Sequence, residues 1–380
     1  MPHYPYLIVG GGMTADAAVR GIREVDEEGA IGVIGAEADP PYARPPLSKA
    51  LWKGEPLESV WKWTAQAGAQ LHLGLRVASI DLGGRTVTDD RGAAYGFDKL
   101  LLATGGTPRR LPTGAEHVLH FRTLADYRIL REMAKPGASF AVIGGGFIGS
   151  ELAAALTLAG SKVTMLFPDA GIGGRIFPAD LAAFLVGYYR ERGVDVRPGE
   201  KVEGVAPKGS RLEVAAASGA RVAVDAVVAG LGIVPNTELA TAAGLAVEDG
   251  IVVDERLRTS HPAVYAAGDV ARFHAPALGR RIRVEHEDNA LTMGRAAGRS
   301  MAEDETPYTH LPFFYSDLFD LGYEAVGDTD ARLETSADWK ERFREGVVTY
   351  RSHGKVRGML LWNTWGQVDA ARAAIEAAGA

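Results

Sequence analysis

Leu7-Ile8-Val9-Gly10-Gly11-Gly12-Met13-Thr14-Ala15 and Ala141-Val142-Ile143-Gly144-Gly145-Gly146-Phe147-Ile148-Gly149 are two versions of one pattern. Each closes an apolar run, turns on glycines and opens a run with helical spacing. The early glycines permit a tight turn and let the backbone approach a pyrophosphate; the last small residue lets helix pack on strand. The pyrophosphate rests on the helix N-terminus, where N–H groups and the dipole favour anions. One such turn is a weak signal. Two, each in strand–turn–helix context and each followed by an acid, point to two dinucleotides in one chain. That arrangement suits hydride transfer between a bound and a diffusible cofactor. In the first turn Ala15 stands at the last glycine position, which the pattern tolerates.

Working outward, residues 6–9, 15–25 and 31–34 read as strand, helix and strand, and Glu37 follows. A carboxylate about two dozen residues past the turn suits a ribose hydroxyl. The second unit repeats this with a strand at 140–143, a helix at 148–159, a strand at 162–167 and Asp169. A carboxylate there accepts from a 2′-hydroxyl and repels a 2′-phosphate, which favours NADH over NADPH. The competing reading is that Asp169 only caps or solvates its loop, with Arg175 near enough to tolerate phosphate. Phe147 and Glu151 lie i,i+4 on one helix face. They either face a cofactor or serve packing and the positive helix end, and spacing leaves both open.

Apolar runs at 226–229 and 264–266, the latter leading into Gly268-Asp269, suggest that the second domain is inserted in the first. The expected domains are 1–112 with 245–306 for FAD, 113–244 for NAD, and 307–380 as a small C-terminal α+β domain. In that last part residues 311–319, 324–327, 346–351 and 356–362 read as strands, 352–355 as a hairpin turn and 367–378 as a closing helix. The fold class is α/β, with two Rossmann-like dinucleotide-binding domains.

Composition sets limits. The 380 residues are 47% hydrophobic and 23% charged, which permits a large core and argues against disorder. Lys and Arg total 41 against 48 Asp and Glu, a formal charge of −7. That balance disfavours nucleic acid and anionic membranes. There is no cysteine, so disulfides, thiolate nucleophiles and cysteine-held clusters are excluded. Glu287 and Asp288 have no His or Cys partners at ligand spacing, so no metal site is expected. His286 alone is more often structural than catalytic. Trp52, Trp61 and Trp63 read as packing. No leader is evident before the first strand and no apolar run spans a bilayer, so the expected location is cytoplasmic.

These residues carry a resemblance. The chain is similar to the FAD- and pyridine-nucleotide-dependent oxidoreductases of the glutathione-reductase-like fold. Within them it most resembles the apoptosis-inducing factors, with monodehydroascorbate reductases and oxygenase-coupled ferredoxin and rubredoxin reductases as cousins. Pro41-Tyr42-Ala43-Arg44-Pro45-Pro46-Leu47-Ser48-Lys49 with Ala50-Leu51-Trp52 resembles the loop beside the isoalloxazine. Leu102-Ala103-Thr104-Gly105-Gly106-Thr107-Pro108-Arg109 resembles the hand-over to the NAD domain. The stretch from Gly144 to Glu151 resembles the NAD turn, and Ala267-Gly268-Asp269 the strand end that binds the ribitol. Val284-Glu285-His286 with Asp288, and Tyr315-Ser316-Asp317-Leu318 with Gly322-Tyr323-Glu324-Ala325-Val326-Gly327, lean toward apoptosis-inducing factor.

The resemblance implies non-covalent FAD and NADH. It implies FAD contacts from Gly10, Gly12, Ala15, Glu37, Arg44, Lys49, Ala103, Thr104, Gly105, Asp269, Glu285, His286 and Tyr315. It implies NAD contacts from Gly144, Gly146, Phe147, Ile148, Gly149, Glu151, Asp169, Gly232 and Glu324. Lys49 and Glu151 would form an ion pair beside flavin N5, with Phe147 and His286 near the nicotinamide. Glu324 would contact the nicotinamide amide, and Tyr315 stands where the relative has a tryptophan. The acidic charge and the short stretch between Gly327 and Gly346 depart from apoptosis-inducing factor, so only its redox core carries over. Three uses of the electrons follow. They go to a small ferredoxin or rubredoxin, to a quinone- or ascorbyl-type molecule, or into a slow NADH-responsive state that changes conformation or oligomeric state, monomer or dimer.

Overall fold

The computed structural model describes residues 1–379, which divide into two compact units. The first takes Met1–Arg44, Leu57–Thr107 and Val234–Phe313; the second takes Pro45–Pro56, Pro108–Ile233 and the chain from Phe314 onward.

In the first unit, strand His3–Val9 lies between two parallel neighbours, Ile31–Gly35 and Ala94–Leu102. Ala69–Leu73 extends the sheet beyond Ile31–Gly35. On the far side of Ala94–Leu102, its first half pairs antiparallel with Thr86–Asp89 and its last three residues pair parallel with Val264–Ala266. These parallel strands are buried, which is why they read as unbroken apolar runs: Leu7, Ile8, Val33, Leu100, Leu101 and Val264 are all sealed from solvent. Helix Met13–Arg23 turns Ala15, Ala18, Val19 and Ile22 inward. A long helix, Glu287–Met301, packs on it at close range. A Cβ at Gly294 would lie 2.5 Å from the Thr14 carbonyl oxygen, and one at Gly298 2.0 Å from that of Ala18. Small residues there set the spacing of the two helices.

The second unit repeats the parallel design. Its sheet runs Asp195–Pro198, Lys162–Phe167, Ser139–Ile143, Ala226–Ala229, Leu119–His120. An antiparallel sheet of Val202–Lys208, Arg211–Ala216 and Arg221–Val224 covers it, sharing a cluster of Ile143, Leu166, Val205, Val214, Val222 and Val227. The C-terminal part is a five-stranded antiparallel sheet in the order Phe313–Leu318, Leu321–Gly327, Lys355–Trp362, Glu345–Ser352, Glu334–Glu341, followed by helix Val368–Gly379. Within this unit the Phe177 ring meets Tyr323 and Trp362 edge-on, and Tyr350 donates to the Ile176 carbonyl at 2.7 Å.

The 352–355 turn is a two-residue hairpin with His353 at φ +51° and Gly354 at φ +75°. Both left-handed positions match the right-handed twist of the strands. The edge strand Glu334–Glu341 has no counterpart in the sequence reading. It is mostly exposed and charged, which suits a sheet edge but erases hydrophobic alternation. Strand 311–319 is shorter than expected, because Phe319 takes φ +62° and turns the chain. Trp63 is not packed: it is 58% exposed at φ +56°. Trp52 does pack, against Tyr127 and under the Arg131 guanidinium, and Trp61 lies edge-on to Tyr42.

Candidate active site

Each glycine turn is built the same way. Gly10 sits at φ +125°, and a Cβ there would fall 2.1 Å from the Ala103 carbonyl oxygen. Gly144 sits at φ +118°, with the Gly230 carbonyl oxygen 2.4 Å from the same position. Only glycine fits either place. Gly12 and Gly146 are the N-caps of their helices, neither has a side-chain cap, and a Cβ on either would meet nothing within 4 Å. Two helix starts therefore present backbone N–H groups to open space, the condition for cradling a phosphate. A dinucleotide fits both.

Around the first turn, Glu37 follows strand Ile31–Gly35. Its carboxylate accepts from the Tyr42 hydroxyl at 2.6 Å and from Arg44 at 2.5 Å. Burial opposes the Arg44 charge, but Tyr42, Glu37 and Asp269 outweigh it and hold the guanidinium more firmly charged than in water. A carboxylate has about four lone-pair sites, so Glu37 keeps acceptor capacity for a ribose. Asp269 stands just past strand Val264–Ala266, after Gly268 at φ +78°, where a Cβ would meet the Thr14 hydroxyl at 2.3 Å. Ala103 donates to Val9 O at 2.8 Å. Thr104 is latched to Asn236 by two hydrogen bonds, at 2.8 and 2.9 Å, and the Gly105 carbonyl accepts from the Asn236 N–H at 3.0 Å. Arg283 donates to Glu285 at 2.9 Å and to the Asp269 carbonyl at 3.2 Å. His286 caps helix Glu287–Met301. Burial pushes its imidazolium down to about 4, against the pull of Asp269 and Asp288, so the ring is neutral at pH 7. Asp288 itself accepts from His310 at 2.6 Å and from the Phe313 N–H at 3.2 Å.

Around the second turn, Gly149 needs its missing side chain: a Cβ would lie 2.0 Å from the Gly144 carbonyl oxygen. Ile148 and Phe147 are over a third exposed, and the Phe147 ring lies 5.0 Å from that of Phe314. Gly232, at φ +77°, accepts from the Arg109 N–H at 2.9 Å. Asp169 lies 3.5 Å from Arg175, whose side chain is largely in water. Glu324 keeps Oε2 buried without a hydrogen-bond partner. Burial raises its pKa, partly offset by the Gly366 N–H. A buried acceptor left open in this way suits a donor from a ligand, such as a carboxamide N–H.

The enclosed charge of the site is Glu151, one turn into helix Phe147–Leu158, with its side chain 2% exposed. Lys49 Nζ lies 2.8 Å from its Oε1. Ser316 Oγ donates to Oε1 and Ser48 Oγ to Oε2, both at 2.6 Å. The Lys49 ammonium also lies 5.1 Å from the centre of the Tyr315 ring, a cation–π contact. The structure thus brings Lys49, Glu151 and Tyr315 together in the second unit. Glu37 and Arg44, with Asp269 beside Arg44, belong to the first. Sequence reading missed Ser48 and Ser316. Ser316 did leave a trace: it alternates with Phe314 and Leu318 along strand Phe313–Leu318, and a hydroxyl on that apolar face needs a partner.

Among the described residues no group of His, Cys, Asp and Glu is placed to hold a metal, and no helix is long and apolar enough to cross a membrane. The family model for pyridine nucleotide-disulphide oxidoreductases matches residues 4–294. Mitochondrial apoptosis-inducing factor 1 of Dictyostelium discoideum is 33% identical over 97% of this chain and 77% of its own length. Putidaredoxin reductase of Pseudomonas putida is 36% identical over 84% of this chain and 79% of its own. The crystal structure of the covalent putidaredoxin reductase–putidaredoxin complex superposes with a TM-score of 0.92 at 32% identity, covering 99% of this chain and 94% of that one. The likeness takes in both glycine turns and the C-terminal sheet, and on it this cysteine-free chain belongs to the pyridine nucleotide-disulphide oxidoreductase family.

Proposed function

We propose that the protein is an FAD-dependent NADH oxidoreductase that passes electrons to a small one-electron carrier protein. The observation that carries this reading is the buried Lys49–Glu151 pair at the opening of the second glycine-turn helix. A lysine ammonium with one fixed counter-ion, capped by an aromatic ring, is a stable positive charge in a low-dielectric place, suited to negative charge that develops on a cofactor. When bound, FAD supplies the electron-pair acceptor, taking hydride from NADH C4 at flavin N5.

The chain's own residues supply the rest. Gly12 and Gly146 leave room for pyrophosphates, and Glu37 and Asp169 offer acceptors to ribose hydroxyls. Glu324 offers its open oxygen to the carboxamide, and Phe147, half-covered by Phe314, screens the same helix start from water. No dithiol stands between flavin and acceptor, because the chain has no cysteine. A carrier protein as acceptor is supported by the likeness to putidaredoxin reductase and to the rubredoxin–NAD reductase of Pseudomonas putida, 32% identical over 84% of this chain. The preference for NADH rests on Asp169.

The test is an anaerobic titration with NADH and with NADPH, followed by turnover with small ferredoxins and rubredoxins. Flavin bleaching by NADH at far lower concentration than NADPH, and fast turnover with a carrier, are expected. A long-lived reduced state that no carrier or quinone discharges overturns the transfer role in favour of a signalling one.

A further inference from the structure

We propose that Ser48 and Ser316 are positioning residues that fix the Glu151 carboxylate, and through it the Lys49 ammonium; the inference rests on the reading of Lys49 given above. A buried carboxylate is tolerable only when donors surround it, and a Lys–Glu pair alone leaves most of its acceptor sites empty. A glutamate's terminal torsion is also broad and roughly two-fold, so a single ammonium does not fix the carboxylate plane. Here two hydroxyls take one oxygen each. Ser48 reaches Oε2 from the short 3₁₀ turn Pro45–Ser48, and Ser316 reaches Oε1 from strand Phe313–Leu318, both at 2.6 Å. The serines are 4% and 0% exposed, so no bulk water competes for those sites.

A second layer stands behind them. Burial and the nearby Glu151 charge push the Tyr323 phenol well above its ordinary range, so a neutral, buried ring stands beside the carboxylate. The Lys49 Nζ and Ser316 Oγ both address Oε1, so rotation of the carboxylate breaks two bonds at once. The ammonium therefore inherits its place from a carboxylate locked by residues 103 and 165 positions away in the chain. A serine that only satisfied its own burial would need one bond to any nearby carbonyl, yet these two converge on one charged group.

The experiment uses the FAD-loaded protein and Ser48→Ala, Ser316→Ala and the double variant. The readouts are the two-electron flavin potential, the limiting rate of anaerobic flavin reduction, and the NADH Kd. Hydrogen bonds to a charged group are each worth about a factor of ten or more. Each single variant is expected to lower the limiting rate about tenfold and the potential by about 30 mV, the tenfold equivalent for a two-electron couple. The double variant is expected to lose about a hundredfold, with the NADH Kd within about twofold of the parent throughout. Ser48→Thr, which keeps the hydroxyl, restores the parent values. Variants that fold and bind NADH but keep the parent potential and rate overturn the inference. If the double variant does not fold, Ser316→Cys decides. It keeps the volume with a weak donor, so behaviour like Ser316→Ala supports positioning and behaviour like the parent overturns it. A parent protein that binds no FAD, or that NADH does not reduce, overturns the functional reading and this inference together.

Discussion

At the first glycine turn the last small residue is Ala15; at the second it is Gly149. Both turns place their first glycine against a carbonyl and their third against open space. They differ in the carboxylate that each helix buries near its start. Asp16, 3% exposed, accepts from Thr64 at 2.8 Å and from Arg20 at 3.0 Å, and the Arg20 side chain is half in water. Glu151 accepts from Lys49, whose side chain is 11% exposed, and from two buried hydroxyls. One backbone motif thus supports two kinds of site. At the first turn the acid ties helix to loop and its counter-charge faces solvent. At the second the counter-charge is held inside, where its field is least screened.

Removing the inner charge is the strongest way to break that contrast. Lys49→Ala leaves Glu151 buried without a cation and is expected to cost about 3–5 kcal/mol in stability and to slow flavin reduction. Arg20→Ala is expected to cost no more than about 1 kcal/mol. Urea unfolding and stopped-flow reduction check the pair, and equal losses would mean that burial of the cation does not separate the two turns.

Swapping the small residues comes next. Gly149→Ala drives a methyl to within 2.0 Å of the Gly144 carbonyl, at a cost of about 1–3 kcal/mol and with weakened NADH binding. The mirror change, Ala15→Gly, is expected to cost only about 1 kcal/mol through helix propensity. Calorimetry of both proteins, with NADH titration of the first, tests the asymmetry.

On the first turn's side, His286 makes stability depend on pH. Its folded value of about 4 lies below the ordinary unfolded value near 6.5, so the unfolded chain takes up the proton first. Stability from this group is complete above pH 6.5 and is lost as pH falls toward 4. At pH 5 the loss is about 2 kcal/mol relative to pH 7. Unfolding of the cofactor-free protein measures the slope, and His286→Asn should flatten it.

The smallest effect concerns cofactor choice at the second turn. Asp169→Ser removes the charge that disfavours a 2′-phosphate and leaves Arg175 nearby. NADPH should gain about tenfold in kcat/KM relative to NADH. An unchanged ratio would assign Asp169 to its loop alone.

Much of this protein is written locally. Val9 to Ala15 and Ile143 to Gly149 specify turn, helix start and phosphate seat within seven residues each, because backbone conformation at Gly10 and Gly144 is a short-range steric matter. Unbroken apolar strands marked the parallel sheets, and the hairpin at His353-Gly354 was readable from its turn residues. The exposed edge strand Glu334–Glu341 was not, since a charged edge has no apolar face to show. Nor was the environment of Trp63, whose exposure depends on neighbours that sequence does not name. By itself the sequence determined two dinucleotide folds, an acid after each turn and a chain with no thiol chemistry. Only the tertiary structure decided that Ser48, Lys49 and Ser316 converge on Glu151. Those segments lie more than a hundred residues from it, and hydrogen bonds between them form only once the whole unit has packed.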